Sequence, residues 1–291
     1  MSPELVVRKE FREGRLDSEG DISEAVEIIR NGGIVAAQFR GVFGIWGDGS
    51  NSESIAKALI AKGDTDPARK FSCMLFADDF LPLIDRFSVH ESIRHLLDSV
   101  ESLEQRLGAM CFIRAPINKD VVGGIPEPLI SEEGGNFYMH NLDPYGHWPM
   151  TGFIRALNEG GVKFVAVTSL NDHAAGESEI VETARALVFC RERGIPLLLA
   201  DPAPFKKDSK TQDREIKGSF TIIDLVRLSV IREGHIPSQL IEKLLQVEFD
   251  RSRAAPPKHP QANFSPLLEI DINPEGLRAT TLVFLKGDLR F

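Results

Sequence analysis

Five hydrogen-bonding side chains, Thr168, Ser169, Asn171, Asp172 and His173, follow the apolar run KFVAV at 163–167. Such groups at the end of a buried strand either cap the next helix or hold a ligand. Asp172 or Ser178 suits the capping of a helix that begins near 178. Ser169 and Asn171 then lie beyond the carboxyl end of a strand, where α/β sheets bind ligands. Three more groups could act on an anion. RGVFGIWGDGS at 40–50 spaces its glycines as a backbone that lets a ligand approach would, though an irregular strand-to-helix loop needs them equally. KGDTDPARK at 62–70 gathers Lys62, Arg69 and Lys70 at a helix end, where a lysine also serves as a plain dipole partner. SFTIIDLVRLSVIREG at 219–234 places Thr221 and Asp224 on an apolar strand and Arg232 beside a glycine turn.

Some chemistries have no support in the residues. Neither the GxGxxG nor the GxxxxGK[ST] spacing occurs, and no GxSxG elbow or Ser/His/Asp set can be assigned. The histidines have no HExxH spacing and Cys73, Cys111 and Cys190 no CxxC, so neither a metal cage nor a disulfide framework is expected. The formal charge of −9 disfavours binding nucleic acid through a general basic surface. The longest apolar runs fall short of a membrane span, and the charged N-terminus does not read as a signal peptide, so a cytoplasmic protein acting on small molecules is expected.

The elements that must position these groups alternate. Helices are expected at 18–33 (capped by Asp21 or Ser23), 51–63 (capped by Ser50 or Asn51), 88–107, 151–161, 178–194 and after Pro237. Strands are expected at 34–39, 71–77, 108–115, 163–169, 195–201, 219–225 and 229–234. Residues 116–148 read as loops with one short strand at most, and 253–264 as a linker before two short strands, LLEIDI and TTLVFL. The pattern is α/β, one domain with a C-terminal extension.

Taken in order, the four groups resemble the YrdC-like family, the threonylcarbamoyl-adenylate synthases, from about residue 21 to 237. AVEIIRNGGIVAAQ resembles the family's opening helix and strand, and QFRGVFGIWGD stands where its PTDTVYGL-like segment would be. Lys62 falls on the lysine of the KxR motif, and VTSLNDHAAGES resembles TSAN-x-SG, with Ser169 and Asn171 on its Ser and Asn. FTIIDL and VIREGHI resemble the STVVDL…ILRPGAI close, with Thr221 and Arg232 on matching positions.

The resemblance implies a twisted mixed sheet flanked by helices, with a concave groove for ATP, bicarbonate and an amino acid. The implied domain runs from 1 to 237, with a C-terminal helix, linker and strands over 238–291 packed on it. Lys62, Ser169 and Arg232 are the implied catalytic residues, and Lys62, Arg69, Ser169, Asn171, Thr221 and Arg232 the implied nucleotide ligands. Phe39, Arg40 and Phe43 would line the acceptor pocket, and magnesium would accompany ATP.

Several positions depart from the family pattern. Gln38-Phe39-Arg40-Gly41 replaces P-T-D-T, Phe43 replaces Tyr, and Asp64 stands at the second basic position of KxR. Leu170 replaces the Ala of TSAN, and Glu233 the Pro of RPG. A pocket without its hydroxyl-binding groups discriminates poorly for threonine. Asp64 beside a triphosphate would repel it unless magnesium intervened, and Tyr138, His140, Tyr145, His147 and Trp148 either line an altered acceptor pocket or pack a surface loop on itself. The expected function is therefore a divergent enzyme forming a carbamoyl- or acyl-adenylate on an acceptor other than threonine, possibly in specialised metabolism. The ordinary tRNA-modification synthase and a non-catalytic nucleotide-binding or regulatory protein are the alternatives.

Overall fold

A computed structural model describes residues 12–39, 42–146, 149–200 and 218–257. Arg40, His147, Trp148, the charged segment 201–217 and both strands expected after 264 lie outside the described residues.

Strands β1 (Glu13–Arg15), β2 (Ile34–Phe39), β3 (Val42–Asp48), β4 (Ser72–Met74), β5 (Phe112–Ile117) and β6 (Ile130–Glu133) alternate with helices. β7 (Asn136–Asn141), β8 (Val165–Ser169), β9 (Leu197–Leu199), β10 (Ile222–Asp224) and β11 (Ser229–Arg232) complete a mixed sheet. Its order is β1-β9-β2-β3-β8-β4-β7-β5-β10-β11, with β6 paired to β7. The helices are α1 (Glu19–Arg30), α2 (Ser52–Ala61), α3 (Ala77–Phe80), α4 (Val100–Leu107), α5 (Met150–Glu159), α6 (Thr183–Arg193) and α7 (Ser238–Leu245).

The two faces of the sheet bury different helices. Ile55 and Ala58 of α2, Leu103 of α4, Phe189 of α6 and Ile241 of α7 pack with Phe43, Ile45, Cys73 and Ile113. Ile29 of α1 and Phe153 and Leu157 of α5 pack on the other face with Val35, Phe39, Trp46 and Val165. Alternate residues of each strand supply the two cores, as the period of two requires.

Several expected elements differ. Ser18, not Asp21 or Ser23, caps α1 by accepting the Asp21 N–H at 3.3 Å, while Asp21 accepts the Arg15 N–H at 2.9 Å. The glycine-rich 40–50 segment is largely the strand β3 rather than a loop. A Cβ on Gly47 would lie 2.2 Å from Ser54 Oγ, which itself donates to Gly33 O at 3.0 Å, so this glycine serves close packing of α2. The single helix expected over 88–107 is a 3-10 segment, Glu91–Leu97, then α4, because Ser99 caps a new start by accepting the Ser102 N–H. Residues 116–148, read as loops, contain the hairpin β6–β7, and β7 sits inside the sheet between β4 and β5. α6 begins at Thr183, five residues later than the pattern suggested.

The sheet is strongly curled. β2 and β10 are six steps apart in the strand order, about 29 Å along a flat sheet at ~4.8 Å per step. Yet Phe39, at the end of β2, stacks on Phe220, two residues before β10, with ring centroids 4.9 Å apart. The strands between them must bend around the face that carries both rings. That face is the concave one.

At the far end of β7, Asp143 is 6% exposed, and Oδ2 finds no hydrogen-bond partner among the described residues. Burial pushes its pKa up to about 7, helped by the charges of Glu104 and Asp78 and opposed by the N–H groups of Tyr145 and Ala77. A carboxyl that holds its proton to higher pH when folded loses stability as pH rises from its unfolded value, about 4, to about 7. Asp143→Asn should therefore raise the melting temperature relative to wild type more at pH 8 than at pH 5, by an amount equivalent to about 1–3 kcal/mol. Equal shifts at both pH values in thermal denaturation would remove this role.

Candidate functional site

Lys62 follows α2 as its C-cap residue, and its side chain runs inward to 1% exposure. A buried ammonium must use all its donors. Nζ donates to Ser169 O at 2.5 Å, Ser169 Oγ at 3.3 Å and Asn171 Oδ1 at 2.5 Å. Ser169 Oγ donates to Asn171 Oδ1 at 2.8 Å, and Asn171 Nδ2 donates to Glu177 O at 2.9 Å. The end of β8 and the turn after it are thus gathered around one charge. Leu170 between them is fully buried, with its N–H on Phe43 O at 2.8 Å and its carbonyl accepting Ile180 N–H at 2.8 Å.

Arg232 reaches the same loop from the other side. Glu179, 2% exposed, accepts from Ser219 N at 3.1 Å and from the Ser219 hydroxyl, and its charge acts on Arg232. Arg232 Nη2 donates to Phe220 O at 3.0 Å, while Nε is buried with no hydrogen-bond partner among the described residues. Burial lowers the Arg232 pKa from its ordinary value, and Glu179 partly opposes that. Loop 170–182 therefore bridges Lys62, through Asn171, to Arg232, through Glu179.

The remaining expected residues are placed differently. Thr221 is fully buried: its hydroxyl donates to Ile236 O and accepts Gly234 N–H at 2.9 Å, closing the turn after β11. A Cβ on Gly234 would lie 2.1 Å from Thr221 N, so only glycine lets that turn close. Arg69 points to Asp64, with Nε 3.1 Å from Oδ2, and Nη1 lies 3.1 Å from His173 Nε2. His173 Nδ1 is 3.3 Å from the same Asp64 oxygen. With Arg69 donating to Nε2, the imidazole proton belongs on Nδ1, facing the carboxylate. Asp64 thus faces its own cation within a closed group of three side chains. Phe39 and Phe43 are both buried, but in the two different cores. Phe39 lies edge-on to Trp46 at 6.3 Å, besides its stack on Phe220.

A polar row crosses the concave face, joining Asp224, Tyr138 and His140, singled out in the sequence, to Arg114, which was not. Arg114 of β5 is the register partner of His140 on β7 and of Asp224 on β10, which puts all three side chains on one face. Arg114 donates to Asp224 Oδ2 at 2.6 Å and to Glu133 Oε2 at 2.7 Å, and its guanidinium lies 3.4 Å over the Tyr138 ring. Phe112, two residues earlier on β5, aligns through Ile222 with Arg232, so Arg232 shares the face. The one signal for Arg114 was a guanidinium inside an otherwise apolar strand. Among the described residues no group of three or more His, Cys, Asp or Glu side chains converges as a metal site, and no helix is long and apolar enough to cross a membrane.

No family model and no curated protein matches the chain. Solved structures do match. A variant of P. abyssi Sua5 superposes with a TM-score of 0.57 at 18% identity, covering 83% of this chain and 64% of that one. P. abyssi Sua5 complexed with L-threonine gives a TM-score of 0.56 at 17% identity, covering 87% of this chain and 68% of that one. The chain has the YrdC-like fold. It spans 64% of the length of the first of those structures. In this YrdC-like sheet the motif residues Lys62, Ser169 and Asn171 are in direct contact, and Arg232 joins them through one loop.

Removing the buried ammonium would leave Ser169 O and Asn171 Oδ1 short of a donor. Lys62→Met is expected to lower unfolding stability by about 2–4 kcal/mol without any ligand present. Urea denaturation measures it, and a change below about 0.5 kcal/mol would mean the lysine leaves these acceptors in solution.

Proposed function

We propose that this protein is a divergent YrdC-like enzyme that uses ATP, with bicarbonate or an acyl group, to form a carbamoyl- or acyl-adenylate on an acceptor other than threonine. The observation that carries this reading is the Lys62–Ser169–Asn171 contact joined to Arg232 through Glu179 in a fold shared with Sua5. A triphosphate and a carbonate-like anion need cations and oriented neutral donors, and no covalent nucleophile. Arg232 brings a buried Nε–H to that role. Ser169 and Asn171 already converge on one charge and could turn to phosphate oxygens. Magnesium would arrive on the phosphates.

The acceptor side supports a substrate change. P. abyssi Sua5 has been crystallised with L-threonine. Here Phe39 stands where the family pattern has a hydroxyl, and it is buried against Phe220 rather than presenting a polar group. Apolar rings cannot reward a substrate hydroxyl, so an acceptor lacking one is favoured.

One observation favours the non-catalytic alternative. Lys62 engages three protein acceptors and is almost fully buried, so phosphate must displace Ser169 or Asn171 before touching it. A protein that keeps this contact permanently would use the lysine only to hold its loop.

Calorimetry with ATP and magnesium, followed by pyrophosphate release over a panel of amines and amino acids with bicarbonate, separates the readings. Binding of ATP that weakens at least about tenfold (~1.4 kcal/mol) in Arg232→Ala, with pyrophosphate released for some acceptor and poorly for threonine, is expected. Binding without turnover on any acceptor would favour the regulatory reading. No binding at all would remove both.

A further inference from the structure

His140 stands apart from the other charged and polar side chains of the concave face. It is partly exposed between the buried residues Met139 and Asn141, and its imidazole makes no hydrogen bond to any described residue. Two guanidiniums and the Asp224 carboxylate act on it. Arg114 lies directly opposite on β5, and the charge of Arg232 reaches it from β11. Arg114 is already engaged by Asp224 and Glu133, whereas Arg232 keeps one buried N–H without a hydrogen-bond partner among the described residues.

We propose that His140 is a ligand-contacting residue which, with Arg232, receives an oxyanion of the ligand, a carboxylate or a phosphate, and takes up a proton as the anion binds. The face offers what such a group requires: a free imidazole, a guanidinium N–H left without a partner, and aromatic walls from Phe112 and Phe220, whose centroids are 5.7 Å apart. Neutral ligands would leave the Arg232 donor buried and unsatisfied, which the low dielectric of the site makes costly.

The electrostatics set the direction of the proton. Without ligand, burial holds the His140 pKa down to about 4, Arg114 and Arg232 push the same way, and Asp224 opposes them. The imidazole is therefore neutral at pH 7. A bound anion would cancel the repulsion from the two guanidiniums and raise that pKa. Between the free and bound values the complex holds one more proton than its parts, so affinity rises as pH falls, by at most about tenfold per pH unit. Tyr138 lies under the Arg114 guanidinium, and the charge of Glu179 acts on Arg232.

This inference rests on the reading of Arg232 as an anion-binding group, but not on adenylate chemistry. Its test uses sulfate, whose charge is constant above about pH 4, as the phosphate probe and acetate as the carboxylate probe. The His140 ring resonances are followed by NMR titration with and without each probe, in wild type and in Arg232→Ala. The wild-type His140 titration should move up by about two pH units or more with at least one probe and remain still in Arg232→Ala. The sulfate dissociation constant should fall at least about threefold between pH 7 and pH 5.5 in wild type and stay flat in His140→Asn. Whichever probe moves the titration names the source of the oxyanion. If neither moves it, or if His140→Asn keeps the wild-type pH dependence, the inference is wrong, even where ATP binds as proposed. If sulfate moves it and ATP does not bind, the adenylate reading fails and this one stands.

Discussion

The stack of Phe39 on Phe220 is the contact on which the rest of the concave face depends. Strands twist, but twist alone does not bring the end of β2 next to the approach to β10 across six strand spacings. The sheet closes on itself until two rings that begin far apart lie 4.9 Å from one another. Phe112 and His235 then pack edge-on against Phe220, so one small aromatic cluster holds the rim. On the curled face Arg232 of β11 and His140 of β7 point the same way, and the charge of Arg232 acts on the imidazole.

Charge is handled inside this frame by pairing. Arg114 is matched by Asp224 and Glu133, Asp64 by Arg69, Asp172 by Arg193 and Arg232 by Glu179. Around the Lys62 ammonium lie two oxygens of Ser169 and one of Asn171. Neutral acceptors of this kind can be exchanged for a ligand's oxygens without leaving a carboxylate to repel the incoming anion. The charge at position 64, which read as repulsive beside a triphosphate, has neighbours of its own. Asp64 faces Arg69 and His173, and its charge is balanced locally.

The parts of the fold legible from the residues are those governed by local rules. α1, α2, α5 and β2 appear within a few residues of their expected limits, because their apolar periods are intact. The misses share a cause. β3 carries glycines that suit a loop, and only the approach of Ser54 to Gly47 explains why a strand needs them. β7 lies in a segment rich in Gly and Pro, and its place between β4 and β5 comes from partners distant in the chain. The helix expected over 88–107 breaks at Ser99 because its hydroxyl caps a new start, a contact that competes with continuing the turn.

For the site, the order of the motifs, through their resemblance to the YrdC-like family, implied that Lys62, Ser169, Asn171 and Arg232 belong to one place. The same resemblance set Phe39 and Phe43 at positions where the family pattern carries hydroxyls. Only the tertiary structure decided what each group faces. Thr221 became a clamp on the Gly234 turn, Arg69 turned to Asp64, and Arg114 and His140 emerged as members of a row no linear spacing reveals. Hydrogen bonding and ion pairing act through space over a few ångströms. A sequence orders residues along the chain, and the curl of the sheet decides which of them meet.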